Sequence, residues 1–560
     1  MRTSKALYQF AFKLETEATA RSRRRRTGST SRRATQRQRR YTLEGELVLF
    51  LLILFLAGCA RVGPNYTRPE TAVLPKWLEA DDRRLSNEPA DYRTWWRVFN
   101  DPVLDRLIDT AYRQNLPLRV AGVRVLEARA QLGIAVGGLY PQTQQGIGSL
   151  QYNRLSEHSV LASLGEYSQD QIGVTATWEI DFWGKFRRAI ESADATLLAT
   201  VADYDNTLVS LVSDVATNYI LIKTTEKRIE IARQNIQIQR ENLEIAEARF
   251  KYGTASERDV QQARTILINT EASVPLLQIQ LEQTKHAVST LLGLPPGDLT
   301  EILAGSAGIP VPPPQIAVGI PADLLRRRPD VRRAEYQAMA QGAQIGVAKA
   351  YLYPAFSLGG TFSLISTNFG NSSLGDILQW ASRSVAAGPA VQWNLFNYGT
   401  ITNNVRVQDA RFQELLISYQ NAVLQAQQNV EDGLVAFLKS QERAELLARS
   451  TDAARQALDL AVEQYRGGIA DFTTVLIGEQ SLLSEQDSFV STLGSVASNL
   501  VAVYRALGGG WQIREGMDLV PPEVKEAMTK RTNWGDLLSP ATYMPPASEE
   551  PRSLIRSPDW

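Results

Sequence analysis

The 560-residue chain is 44% hydrophobic, 21% charged and 8% aromatic, a globular composition, with 60 Lys/Arg balanced by 60 Asp/Glu. The balance hides an asymmetry: residues 1–46 hold 13 basic and four acidic side chains, residues 47–58 hold none, and the remainder is acidic by nine charges, which disfavours a polyanion-binding body. One cysteine (Cys59) and two histidines (His158, His286) exclude an intrachain disulfide and a Cys/His zinc site, and with no Walker A loop, GxSxG elbow, HExxH or strand-borne GxGxxG an enzyme is not expected.

Residues 47–56 read LVLFLLILFL. Ten apolar residues are too few to span a bilayer, which takes about 20, but they suit the hydrophobic region of a signal peptide. Leu56-Ala57-Gly58-Cys59 follows and resembles a bacterial lipobox. In such signals the cut falls before the cysteine and its thiol takes a diacylglycerol. An ordinary signal peptide with an accidental cysteine is the alternative. Residues 1–58 thus read as a signal peptide with a long basic leader, and residues 59–102 as a lipid-anchored linker.

The body is written twice. Leu139-Tyr140-Pro141 matches Leu352-Tyr353-Pro354; Trp178 and Gly184 match Trp393 and Gly399; Phe250, Gly253 and Ala255 match Tyr465, Gly468 and Ala470; Gly293 matches Gly508. The two repeats run over 103–300 and 321–512, joined by a Pro-rich linker at 301–320 that contains Ile309–Pro314 (IPVPPP), and residues 513–560 read as an extended tail.

Each repeat has the same internal order. A helical segment, 103–139 or 321–352, ends at Tyr-Pro, where proline disfavours helix in the residue before it. Two strands follow. Apolar residues alternate with small or polar ones over 172–180, 356–364 and 385–395, and more weakly over 144–152 with Leu150 and Tyr152. This length and period suit a tilted transmembrane β-strand, with a soluble half-buried sheet as the alternative that alternation alone does not exclude. Next comes a very long helix: residues 185–252 hold no Gly or Pro, and 400–466 hold one Gly and no Pro. At 1.5 Å per residue each reaches about 100 Å. Their polar faces call for lateral, coiled-coil packing on other helices. Each ends at a glycine turn, Arg249–Val260 (RFKYGTASERDV) or Gln464–Val475 (QYRGGIADFTTV), with Gly253 and Gly468 suited to a left-handed cap, and a return helix follows.

Four amphipathic strands cannot close a barrel, and an open edge cannot be left bare in lipid. Closure needs several copies: two give a barrel filled by side chains, three give one with a lumen. The expected fold is α+β: a short transmembrane β-barrel, four strands per chain, continued by a long α-helical coiled-coil barrel.

Several motifs resemble those of the outer-membrane efflux protein family, the TolC-like outer-membrane factors, in its lipoprotein (NodT/OprM-like) branch. They are the lipobox with Cys59–Pro69 (CARVGPNYTRP), Trp95-Trp96 with Phe99–Pro102, Asp181–Lys185 (DFWGK), Arg328–Arg332 (RPDVR) and both glycine turns, spread over residues 56–512. The resemblance implies a homotrimer with a 12-stranded barrel and a periplasmic helical tunnel. It implies anchoring in the bacterial outer membrane by diacylglycerol and palmitate on Cys59. It also implies a periplasmic adaptor and an inner-membrane pump of RND type as partners, with drugs, other xenobiotics or metal ions as cargo, conducted passively. In the family the glycine turns close the periplasmic aperture and meet the adaptor. The matching positions are Phe250, Gly253, Ser256 and Asp259, and Tyr465, Gly468, Asp471 and Thr474. Some relatives carry an acid where this chain has Thr474, so Asp259 or Asp471 is left to supply a ring of charge; both also read as ordinary solvated helix-end carboxylates.

Trp178 and Trp393 suit a membrane interface or packing at the barrel–helix junction. His158 falls in a loop between strands, and His286 on a return helix suits a packing or tunnel contact. Two other functions fit the same tube less well: a conduit for type I protein secretion, and a non-conducting envelope scaffold.

Overall fold

The computed structural model of the chain describes residues 61–539, less 87, 89–90, 159, 161, 298, 306–307, 320, 322–326 and 371. The signal segment, Cys59 and residues 540–560 lie outside the described residues.

The first half opens with two helices, α1 (Pro102–Gln114) and α2 (Leu116–Gly137), where the sequence suggested one. Asn115 makes the break. Its side chain accepts the Leu118 amide at 2.9 Å as an N-cap, and Pro117 supplies no amide for a continued helix. The hairpin β2 (Thr143–Arg154) and β3 (Glu166–Ile180) follows, then α3 (Lys185–Lys251) of 67 residues and the return helix α4 (Glu257–Leu291) of 35. The second half repeats the order: α5 (Pro329–Ala350), β5 (Ala355–Thr367), β6 (Arg383–Gln392), α6 (Thr400–Arg466) of 67 residues and α7 (Phe472–Ala506) of 35.

The four long strands form one antiparallel sheet, β2-β3-β5-β6. The halves meet at β3 and β5, where Ile180 lies opposite Phe356 and Trp178 opposite Leu358. The apolar residues share one face, and that face is open: Ile172, Val174, Leu358 and Val385 are all about half exposed or more. No helix among the described residues is long and apolar enough to cross a membrane.

Conserving hydrogen bonds at the junction of sheet and helices is the work of the DFWGK motif. Asp181 accepts the amides of Phe186 and Arg187, both at 3.0 Å, so it caps the first turn of α3. Gly184 (φ 77) and Gly399 (φ 84) take the left-handed turn that starts each long helix. Trp178 and Trp393 donate their indole N–H to the carbonyls of Leu139 and Leu352, each at 3.1 Å. Both tryptophans therefore tie strand to helix at this junction. The RPDVR motif works at the far end of the return helix: Asp330 orients Arg328, whose guanidinium donates to the Ala506 carbonyl at the C-terminus of α7. In the first half Asn115 does the same for α4, donating to the Leu291 carbonyl at 2.9 Å.

The main core lies partway along the long helices, around Trp95, Leu104, Leu208, Tyr219, Phe437 and Leu500. Segments that read as linkers and tail are part of it. The stretch after residue 61 is laid along α6, with the Leu74 and Leu78 amides donating to Gln427 and Glu431 at 3.0 Å. The Pro-rich join is anchored by a short parallel pair, β1 (Leu85–Ser86) with β4 (Ile316–Ala317). Residues 513–539 are not an extended tail: Leu519, Val520 and Met528 are buried in the core beside Trp511, and a helix, α8 (Pro522–Thr529), packs there. Their irregular spacing gives no periodic signal in the sequence.

Candidate functional site

The two glycine turns end the helical hairpins. At the first, Gly253 has φ 73, and the amides of Gly253 and Thr254 return to the Phe250 and Arg249 carbonyls at 2.9 Å. At the second, Gly468 has φ 75, with Gly468 and Ile469 bonding Tyr465 and Gln464 at 3.0 and 2.9 Å. The left-handed caps expected from the sequence are present, and their paired bonds are the double closure of a Schellman cap. A Cβ at Gly253 would touch nothing within 4 Å, so backbone conformation and not space selects glycine there.

The two carboxylates beside the turns differ. Asp259 is buried and forms a capping box with Ser256: its carboxylate accepts the Ser256 amide at 3.2 Å, while the Ser256 hydroxyl accepts the Asp259 amide at 3.3 Å. Asp471 is the N-cap of α7 but makes no side-chain cap bond and is exposed. Of the two acids weighed as ring formers, Asp259 is committed to holding its turn and Asp471 is free to face solvent. Thr474 is exposed one turn further on.

The turns also touch each other. The Arg249 guanidinium lies 4.5 Å from the Tyr465 ring centre, and Tyr465 meets Phe472 edge-on at 5.4 Å. Burial pushes the Tyr465 hydroxyl up, with Arg249 pulling the other way. Arg249 Nε and Nη1, Tyr465 Oη and Asp259 Oδ1 are buried without hydrogen-bond partners. Arg249 was not singled out from sequence, because its partner lies in the other repeat.

Two helical turns into α7 sits Glu479, only 1% exposed. Asn242 on α3 donates to it at 2.7 Å, and its other oxygen has no partner. Burial pushes its carboxyl up to about 7, against the lowering effect of Asn242. Seven residues along each helix, Asn235 donates to Gln486 at 2.6 Å. Between these two pairs lies Gln239, buried, with neither amide atom bonded. The α3–α7 seam near the turns is therefore a polar ladder inside an otherwise apolar packing. Residue types of middling polarity at heptad spacing were its only sequence signal.

His158 and His286 are both exposed, so His286 is not a packing residue within the chain. Among the described residues no group of three His, Cys, Asp or Glu side chains could hold a metal ion.

A family profile described as outer membrane efflux protein matches residues 107–294 and 320–509. The pyoverdine export outer membrane protein OpmQ of Pseudomonas putida is 31% identical, over 84% of this chain and 98% of its own length. The toluene efflux pump outer membrane protein TtgI of Pseudomonas putida is 30% identical, over 83% of this chain and 98% of its own length. The solved structure of the outer-membrane channel OprN superposes with a TM-score of 0.76 at 32% identity, covering 80% of this chain and 99% of that one. With family profile, relatives and fold in agreement, the chain belongs to the outer membrane efflux protein family.

Proposed function

We propose that this chain is the outer-membrane exit channel of a tripartite efflux system. It passively conducts drugs, other xenobiotics or metal ions delivered by an inner-membrane pump of RND type through a periplasmic adaptor. The observation that carries the reading is a four-stranded sheet, apolar on one open face and, among the described residues, unpaired at both edges, joined to two 67-residue helices. Bare strand edges in lipid are prohibitively costly, so copies must join edge to edge. Three copies give twelve strands and a lumen; two give a barrel filled by its own side chains. A homotrimer also gathers the polar helices into a coiled-coil tunnel below the membrane. The 103–300 and 321–512 repeats then supply six similar units from an internal duplication. Cys59 carries diacylglycerol and palmitate and anchors the chain.

In this trimer the turns at Gly253 and Gly468 form the periplasmic tip that meets the adaptor and closes the aperture. Asp471 supplies an acidic ring that favours cations, while Asp259 keeps its turn in shape. The purified full-length protein in planar bilayers tests this. Wild-type protein is expected to conduct with cation preference. Asp471→Asn is expected to lower the cation-to-anion permeability ratio about twofold or more. An unchanged ratio would remove Asp471 from the aperture, and an absence of conductance would overturn the conduit. The mass of the same purified chain reads the anchor: a chain without lipid on Cys59 contradicts that assignment.

A further inference from the structure

Near the start of α3, at the opposite end from its glycine turn, α2, α3 and α5 flank an open trough of about 660 Å³, with Leu415 of α6 at its side. Its shape follows from side-chain size. Each of the three helices contributes an alanine, Ala128, Ala199 or Ala340, and these short side chains leave room between longer polar ones. No aromatic ring lines the trough, so a solute there meets charge and hydrogen bonds and has nothing to stack on.

Helical spacing fixes the side on which the trough opens. Glu179 alternates with Trp178 and Ile180 along β3, so it lies on the face of the sheet opposite the apolar one. Lys185 donates to both Glu179 oxygens, at 2.9 and 3.0 Å, and lies 4.8 Å from the Tyr351 ring centre. Ser192 and Asp203 of the trough follow Lys185 by 7 and 18 residues, and Gln344 and Arg333 precede Tyr351 by the same two intervals. Seven and eighteen residues are about two and five turns at 3.6 residues per turn, so each set shares one helix face. The trough therefore opens on the side of the polar face of the sheet. In the exit channel proposed above, that side is the lumen.

The trough offers more free donors than free carboxylates. It holds two guanidinium groups, Arg124 and Arg333, and two carboxylates, Glu127 and Asp203. Both carboxylates are engaged: Asp203 accepts Arg333 Nη1 at 2.6 Å, and Glu127 accepts the Gln131 side-chain amide at 3.1 Å. Arg333 is 42% exposed and spends one nitrogen on Asp203. Arg124 is exposed and makes no ion pair or hydrogen bond among the described residues. A guanidinium fork with its N–H groups unspent matches a carboxylate on a solute.

We propose that this trough is a binding station on the tunnel wall for hydrophilic organic anions bearing carboxylate groups, with Arg124 as the anchoring cation and Arg333 beside it. The inference rests on the exit-channel reading and adds to it a cargo class and a place where that cargo dwells. Several copies of the chain would set a ring of such guanidinium groups around the lumen, an arrangement that favours anions, at the other end of the long helices from Asp471.

The test is block of channel current by citrate, a small hydroxylated tricarboxylate, added to both sides of planar bilayers that hold the purified full-length protein. Millimolar citrate is expected to reduce the wild-type current reversibly, and sorbitol, neutral and of similar size, is not. Arg124→Gln is expected to raise the half-blocking citrate concentration about threefold, the scale of one solvent-exposed charge pair, and Arg124→Glu to abolish the block. Because Arg124 has no partner to lose, both variants should conduct as the parent does in the absence of citrate. A conducting wild-type channel that citrate does not block would overturn the station and leave the conduit standing. So would equal half-blocking concentrations in all three proteins, or equal block by sorbitol. A wild-type protein that conducts nothing would overturn the conduit itself, and the station with it.

Discussion

Asp205→Ala is expected to be the most damaging single substitution outside the backbone-critical glycines. Asp205 is 0% exposed on α3 and holds two buried arginines. Arg332 of α5 donates to it at 2.7 Å, and Arg514 of the C-terminal segment binds it through Nη2 at 2.9 Å and through Nε. Trp511 lies against both guanidinium groups, 4.5 and 5.5 Å from its ring centre. The carboxylate thus ties the first repeat, the second repeat and the C-terminal segment together. Removing it leaves two buried cations without their counter-charge, a loss of about 3–5 kcal/mol for a broken buried pair. The thermal midpoint of the purified protein should fall by several degrees, and less protein should reach the outer membrane. Asp109→Ala is the control. Its partner Arg113 is 71% exposed, and such surface pairs contribute at most about 1 kcal/mol. Equal midpoints for the two variants would show that the buried cluster does not hold the fold.

Glu479→Gln is expected to stabilise, and only at neutral to alkaline pH. The ordinary value for this carboxyl is 4.5, and burial raises it to about 7 in the folded chain. Below about 4.5 the carboxyl is neutral in both folded and unfolded chains, and the full stabilisation is present. As pH rises toward 7 the unfolded chain ionises first, and stability is lost at about 1.4 kcal/mol per pH unit. The loss amounts to about 3 kcal/mol once the folded carboxyl has ionised near 7. Only the Asn242 amide and burial act on the group; no charged side chain contributes. Glutamine keeps an acceptor for Asn242 and never ionises. The variant should therefore unfold at a higher temperature than the parent at pH 8, and the difference should shrink toward pH 5. A pH-independent difference would mean that Glu479 is not titrating in this window.

Local order was legible in the sequence where a period or a special backbone angle demanded it. Period-two alternation located all four long strands. The Pro-free runs, the first without Gly and the second with only Gly433, gave both 67-residue helices nearly to the residue, and Gly253 and Gly468 announced left-handed caps. The break at Asn115 was missed although Pro117 marks it, because the apolar pattern continues across it. What stayed hidden depends on contacts between distant segments. Asp205 meets Arg332 127 residues away and Arg514 309 residues away, and Asn242 meets Glu479 across 237. No single-segment pattern encodes such register. Likewise Asp259 and Asp471 look equivalent as letters beside a turn, and only the capping box at Ser256 separates a structural acid from an exposed one.

As the proposed exit channel, this chain is expected to export small compounds across the outer membrane. The most direct measurement is intracellular accumulation and growth inhibition for a panel of antibiotics, dyes, organic solvents and metal ions. It uses a strain lacking this chain, in a background stripped of its other outer-membrane efflux channels, with and without the chain restored on a plasmid. Without the chain, accumulation should rise and hypersensitivity to at least one chemical class should appear, both reversed by the plasmid. Unchanged accumulation throughout, together with a protein missing from the culture supernatant, would contradict it and make the tube a secretion conduit.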